Sequence, residues 1–105
     1  MKVLLDQGTP APLRRYLRPH VVQTCADRGW SSLDNGDLLD RAEAEGFEAL
    51  ITTDQNLRQQ QNLAARRIRV LVLTTTSWPR IRNKTRQVRE ALENLVAGGY
   101  CEIDV

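Results

Sequence analysis

Residues 69–74 read RVLVLT, with four apolar side chains in unbroken succession between an arginine and a threonine. A strand apolar at alternate positions buries one face; a strand apolar at every position is covered on both. Such a run belongs in a parallel sheet with helices above and below it. The rest of the chain repeats the theme at regular intervals. KVLL at 2–5, HVVQTC at 20–25 and ALITT at 49–53 are further strand-type segments, and residues 100–105 supply a fifth, at the edge.

Helical segments separate them. Thr9-Pro10 reads as a helix start, with Thr9 as cap and Pro10 in the first turn, sending Leu13, Tyr16 and Leu17 inward. Leu38, Leu39 and Ala42 have helical spacing up to Gly46, residues 57–66 read as one short helix, and Pro79 opens the last helix. In that last helix Ile81, Thr85, Val88, Leu92 and Leu95 form one stripe, which Gly98-Gly99 ends. This alternation predicts an α/β three-layer sandwich with a mostly parallel five-stranded sheet. Right-handed crossovers favour the strand order 2-1-3-4-5, in which strands one and three are neighbours where the order reverses.

The 105 residues make one domain, 1–105, with 41% apolar and 27% charged residues, ordinary for a soluble protein. No run approaches the roughly 18–20 apolar residues of a membrane span, and MKVLLDQ has too short an apolar core for a signal peptide. The expectation is a cytoplasmic protein without membrane attachment, in which Cys25 and Cys101 are reduced, half-buried thiols.

Asp6 closes the first strand and Asp54 follows the third. On neighbouring strands they meet at the switch-point crevice, where open α/β sheets bind ligands. Two unpaired charges about 4 Å apart repel by roughly 4 kcal/mol at an effective dielectric near 20. A raised pKa, an arginine or a divalent cation offsets that cost. Mg²⁺ and Mn²⁺ suit converging carboxylates best, and such an ion activates water and stabilises charge on a phosphodiester. The competing role for each aspartate is to cap the helix that follows it. Asp37, in the first turn of the second helix, is either a third ligand or part of a cap with Asp34, while Asn35 is an alternative cap. His20 is the single histidine and reads as a strand-edge residue.

The formal charge of +2 hides an asymmetry: residues 27–54 hold eight acids and two bases, residues 66–90 eight bases and one acid. Arg80, Arg82, Lys84, Arg86 and Arg89 form either a solvated helix face or an electrostatic footprint for phosphate. Trp30 and Trp78, both in loop contexts, are candidate anchors of a homo-oligomer or pack over a helix edge within the monomer.

KVLLD at 2–6, NGDLLDRAEAEGFEALITTDQNL at 35–57 and RIRVLVL at 67–73 together resemble a compact PIN-like domain, the fold of metal-dependent ribonucleases common among bacterial toxins of toxin–antitoxin pairs. Ala42, Thr52, Asp54 and Asp6 fit the family's pattern. The position of its helix-opening acid is taken by Asn35, with Asp37 two residues on, and the chain is shorter than typical PIN toxins. The resemblance implies that Asp6 and Asp54 ligate the metal and that Thr52 or Thr53 supports the site.

The expected activity is an endoribonuclease using Mg²⁺ or Mn²⁺ on Asp6, Asp37 and Asp54. Asn35 and Asn56 position water or phosphate, and Arg14, Arg15, Arg58, Arg80, Arg82 and Lys84 hold single-stranded RNA. The expected protein partner is an antitoxin. The alternative is a non-catalytic PIN-like module that binds nucleic acid or protein, with a degenerate metal site. A phospho-acceptor receiver domain shares the strand order and an Asp after strand three, but strand one here supplies a single Asp and no lysine follows strand five.

Overall fold

The computed structural model describes residues 1–105. Five strands, β1 (Lys2–Leu5), β2 (Val21–Thr24), β3 (Ala49–Thr52), β4 (Arg69–Leu73) and β5 (Tyr100–Ile103), form one sheet in the order β2-β1-β3-β4-β5. Every pairing is parallel, with Val3 opposite Val22 on one side and Ala49 on the other. The switch point therefore falls between β1 and β3, as the sequence predicts.

The period-two alternation of side chains divides the core into two layers. Leu4, Leu50, Val70 and Val72 point to one side and are covered by α1 (Cys25–Arg28), α2 (Asn35–Ala44) and α3 (Leu57–Gln60), with Trp30 and Phe47 filling the gaps. Val3, Leu5, Ile51, Leu71 and Leu73 point to the other, against a 3₁₀ segment (Ala11–Tyr16), α4 (Trp78–Arg82) and α5 (Thr85–Asn94). No helix is long and apolar enough to cross a membrane.

Several local expectations are corrected. Thr9 does not cap the first helical segment; it is buried, and its hydroxyl donates to the Ile51 carbonyl at 3.1 Å, leaving Pro10 at the cap position. Leu13 and Leu17 enter the core, but Tyr16 stays at the rim, 41% exposed, tilted against Trp78 with ring centroids 5.6 Å apart. The helix expected over 57–66 breaks into α3 and a 3₁₀ turn (Leu63–Ala65), because Gln61 is extended (φ −129°, ψ 141°). The last helix breaks too, at Asn83 and Lys84, so that Ile81, Val88 and Leu92 are buried while Thr85 and Leu95 are half-buried. Trp30 is a core residue, edge-on to Phe47 at 5.8 Å and under the Arg28 guanidinium. Cys25 and Cys101 are both free, the first buried and the second half-buried.

Candidate functional site

The carboxyl ends of β1 and β3 carry the acids. Backbone pairing continues one residue past β1, since the Asp6 amide donates to the Ile51 carbonyl at 2.9 Å, so Asp6 is held on a rigid strand end. Beside it the hydroxyl of Thr52, fully buried, donates to Asp6 Oδ2 at 2.8 Å and accepts the Asp54 amide at 3.1 Å. One side chain thus ties the Asp6 carboxylate to the backbone of Asp54. Thr53 plays a different part: a Cβ placed on Gly8 would stand 2.5 Å from Thr53 Oγ1, so the loops after β1 and β3 touch where only glycine fits without rearrangement.

Each carboxylate accepts from one local backbone amide and has at least one distant partner. Asp6 Oδ1 accepts the Gln7 amide at 2.7 Å and lies 3.9 Å from the Cys25 thiol. Asp54 Oδ1 accepts the Asn56 amide at 2.9 Å, while Oδ2 accepts Asn35 Nδ2 at 2.9 Å. The same Asn35 nitrogen donates to Gln60 Oε1 at 3.1 Å. Asn56 contributes its backbone, not its exposed side chain, and starts α3 without a side-chain cap.

Asp37 lies elsewhere. Residues two apart on an α-helix project about 200° from each other, so when Asn35 faces Asp54, Asp37 faces away. It lines a shallow depression with Leu33, Asp40, Arg41 and Ala44. Its amide is capped by Asp34 Oδ1 at 2.8 Å, which makes Asp34 the cap rather than Asn35.

Beside Asp6 opens a cleft of about 390 Å³ bordered by Gly8, Thr9, Cys25, Ser31 and Thr76. Burial, and then the neighbouring Asp6 carboxylate, push the Cys25 thiol up to about 12, so it is a neutral donor at physiological pH. His20 sits outside this region, with Nε2 2.8 Å from Glu93 Oε2.

The predicted nucleic-acid-binding residues divide among three places. Arg14, Arg15 and Arg82 border one groove, where Arg14 also pairs with Asp27 at 2.8 Å. Arg80 faces a cleft that also holds Glu102 and Asp104, and Lys84 Nζ approaches the Asp104 carbonyl at 3.4 Å. Arg58 stacks over the Tyr100 ring at 4.8 Å.

No family model, curated protein or solved structure matches the chain.

Gln60 and Cys25 are the site residues that sequence reading misses. The triplet QQQ at 59–61 is too short to attract notice, yet it lies one turn beyond the Asp54-bearing loop, and its middle member shares Asn35 with Asp54. No three His, Cys, Asp or Glu side chains converge anywhere in the fold. A carboxylate offers about four lone-pair sites. Asp6 uses them on Gln7, Thr52 and the distant thiol, Asp54 on Asn56 and Asn35, so acceptor capacity remains on both. Carboxylate oxygens are the donors that Mg²⁺ and Mn²⁺ favour, and these ions keep several waters, so the chemistry of Asp6 and Asp54 fits such an ion.

Proposed function

We propose that this protein is a metal-dependent endoribonuclease, with Asp6 and Asp54 as the residues that hold Mg²⁺ or Mn²⁺. The observation that carries the reading is the Thr52 hydroxyl joined to both aspartates at the switch point. When bound there, the ion supplies an activated water and neutralises charge on a phosphodiester oxygen. The chain's own residues do the rest. Thr52 fixes the rotamer of Asp6, and the amides of Gln7 and Asn56 orient the two carboxylates from below. Asn35 and Gln60 form an amide pair beside Asp54, suited to hydrogen-bonding a ribose hydroxyl or a phosphate oxygen. In this reading the partners are single-stranded RNA and an antitoxin protein, and the setting is the cytoplasm.

A second reading has its own observation. Asn35 donates to Asp54 where an additional acid would demand a cation, so the site is electrostatically satisfied with fewer positive charges. That arrangement suits a non-catalytic module that binds nucleic acid or protein. A Mn²⁺ titration followed by calorimetry, with RNA cleavage measured in parallel, separates the two. The nuclease reading expects saturable binding and metal-dependent cleavage, both lost in Asp6→Asn and Asp54→Asn. Wild-type protein that neither binds Mn²⁺ nor cleaves RNA, while still retaining RNA, would establish the second reading.

A further inference from the structure

The face opposite α2 carries a feature that the acid pair does not use. The 3₁₀ segment packs against α4 and α5, and between them lie two adjoining hollows of about 570 and 310 Å³. Arg15 and Tyr16 border both hollows. Arg14, Arg82 and Trp78 also line the first, and Arg18, Arg86 and Arg89 the second; Arg14 pairs with Asp27 and Arg86 with Glu90, but no acidic side chain lines either hollow. Arg15, Arg18, Arg82 and Arg89 take part in no ion pair within the chain. Four guanidinium groups strung along adjoining hollows, none with a carboxylate partner of its own, repel one another, and phosphates are the counter-charge that their planar forks fit.

The aromatic pair decides which phosphate polymer. Tyr16 is 41% exposed and braced from one side by Trp78, so it presents a fixed ring to solvent among arginines. A base can stack on such a ring only when unpaired; in a duplex the base faces are hidden. The first hollow also reaches Ala11, which borders the Asp6 cleft, so the groove leads towards the acids.

We infer that this groove is a track for single-stranded RNA, with a base stacked on Tyr16 and backbone phosphates on Arg15, Arg18, Arg82 and Arg89. The inference rests on the ribonucleolytic reading for the direction of the track, but its binding is independent of metal and hydrolysis. Of the residues assigned to the track, Arg82 and Arg89 lie in the basic run of residues 80–89; Tyr16, Trp78, Arg15 and Arg18 do not.

The test is fluorescence anisotropy of a short, mixed-sequence single-stranded RNA with the full chain in EDTA, where no cleavage occurs. Tyr16→Ala is expected to weaken binding about five- to tenfold, the lower part of the range for one stacked base. Arg15→Ala and Arg89→Ala are each expected to flatten the slope of log affinity against log salt by roughly 0.7, one phosphate contact. Arg67→Ala, on a different surface, is expected to change neither. Unchanged affinity and slope in the groove variants would overturn the track, as would equal affinity for the duplex of the same sequence. Displacement of the RNA by polyglutamate as effectively as by unlabelled RNA would overturn it in favour of an acidic protein segment. The two proposals fail separately. Metal-dependent cleavage that survives in the groove variants removes the track alone, whereas groove-dependent binding by a protein that never cleaves removes hydrolysis alone.

Discussion

Thr52→Val is the substitution that tests the site most directly. Valine matches threonine in shape, so the fully buried position loses no volume and gains no cavity. What it loses is a hydroxyl with two partners: Asp6 Oδ2 at 2.8 Å and the Asp54 amide at 3.1 Å. A hydrogen bond to a charged group is worth about 1.5–3 kcal/mol, and a buried amide left unpaired costs about 1–3 kcal/mol. Asp6 and Asp54 are both partly open to water and recover some of this, so the expected destabilisation is about 2–4 kcal/mol. Thr52→Ser keeps the hydroxyl and deletes one methyl group, worth about 1 kcal/mol. Urea unfolding monitored by far-UV circular dichroism gives both values, provided the m-value is unchanged. The double variant with Asp6→Asn then isolates the pairwise term. If Thr52→Val costs no more than Thr52→Ser, the threonine is filler, and the claim that it couples the two aspartates is refuted. On the proposed metal-dependent reading, Mn²⁺ affinity should follow the same order, kept in the serine variant and lost in the valine variant.

Asn35→Asp places a carboxylate where an amide now donates to Asp54. Without metal, the variant should melt lower than wild type, since two charges about 4 Å apart repel by between 1 and 4 kcal/mol. Mn²⁺ should raise its melting temperature more than it raises that of wild type, and an absence of that increment contradicts a cation site at this position. Cys25 should resist iodoacetamide near neutral pH while Cys101 reacts, read by mass spectrometry of the digested protein; preferential labelling of Cys25 would contradict its raised pKa. Because that pKa is raised, the protonated thiol stabilises the fold below its unfolded value near 9.0, and this contribution is lost as pH climbs towards about 12. Cys25→Ala should therefore flatten the alkaline decline in stability.

The strand order was legible because apolar runs at 2–5, 49–53 and 69–74 leave few ways to arrange right-handed crossovers. Asp6 and Asp54 were legible for the same reason, since a strand end is a fixed place in such a sheet. The helix breaks were not. Residues 57–66 are rich in leucine, glutamine, alanine and arginine, all compatible with a continuous helix. The turn at Gln61 accompanies long-range packing, with Gln60 bonded to Asn35 and the Gln61 amide against Gly36. Asp37 illustrates a different limit. Sequence proximity to Asn35 suggested a shared site, whereas helical projection separates them. The basic run at 80–89 likewise reads as one patch but divides between opposite sides of α4 and α5. The meeting of Tyr16 with Trp78 joins segments far apart in the chain, and no local pattern announces it.

The Asp6–Thr52 bond spans 46 residues, and the sheet contains no hairpin through which its strands might pair locally. During synthesis β2 emerges first to pair with one edge of β1, and the other edge waits until β3 emerges to lie beside it. Non-local closure of this kind slows folding. It also means that no short contiguous peptide excised from this chain can assemble the acidic centre: competence arrives late and all at once, with the strand that carries Thr52.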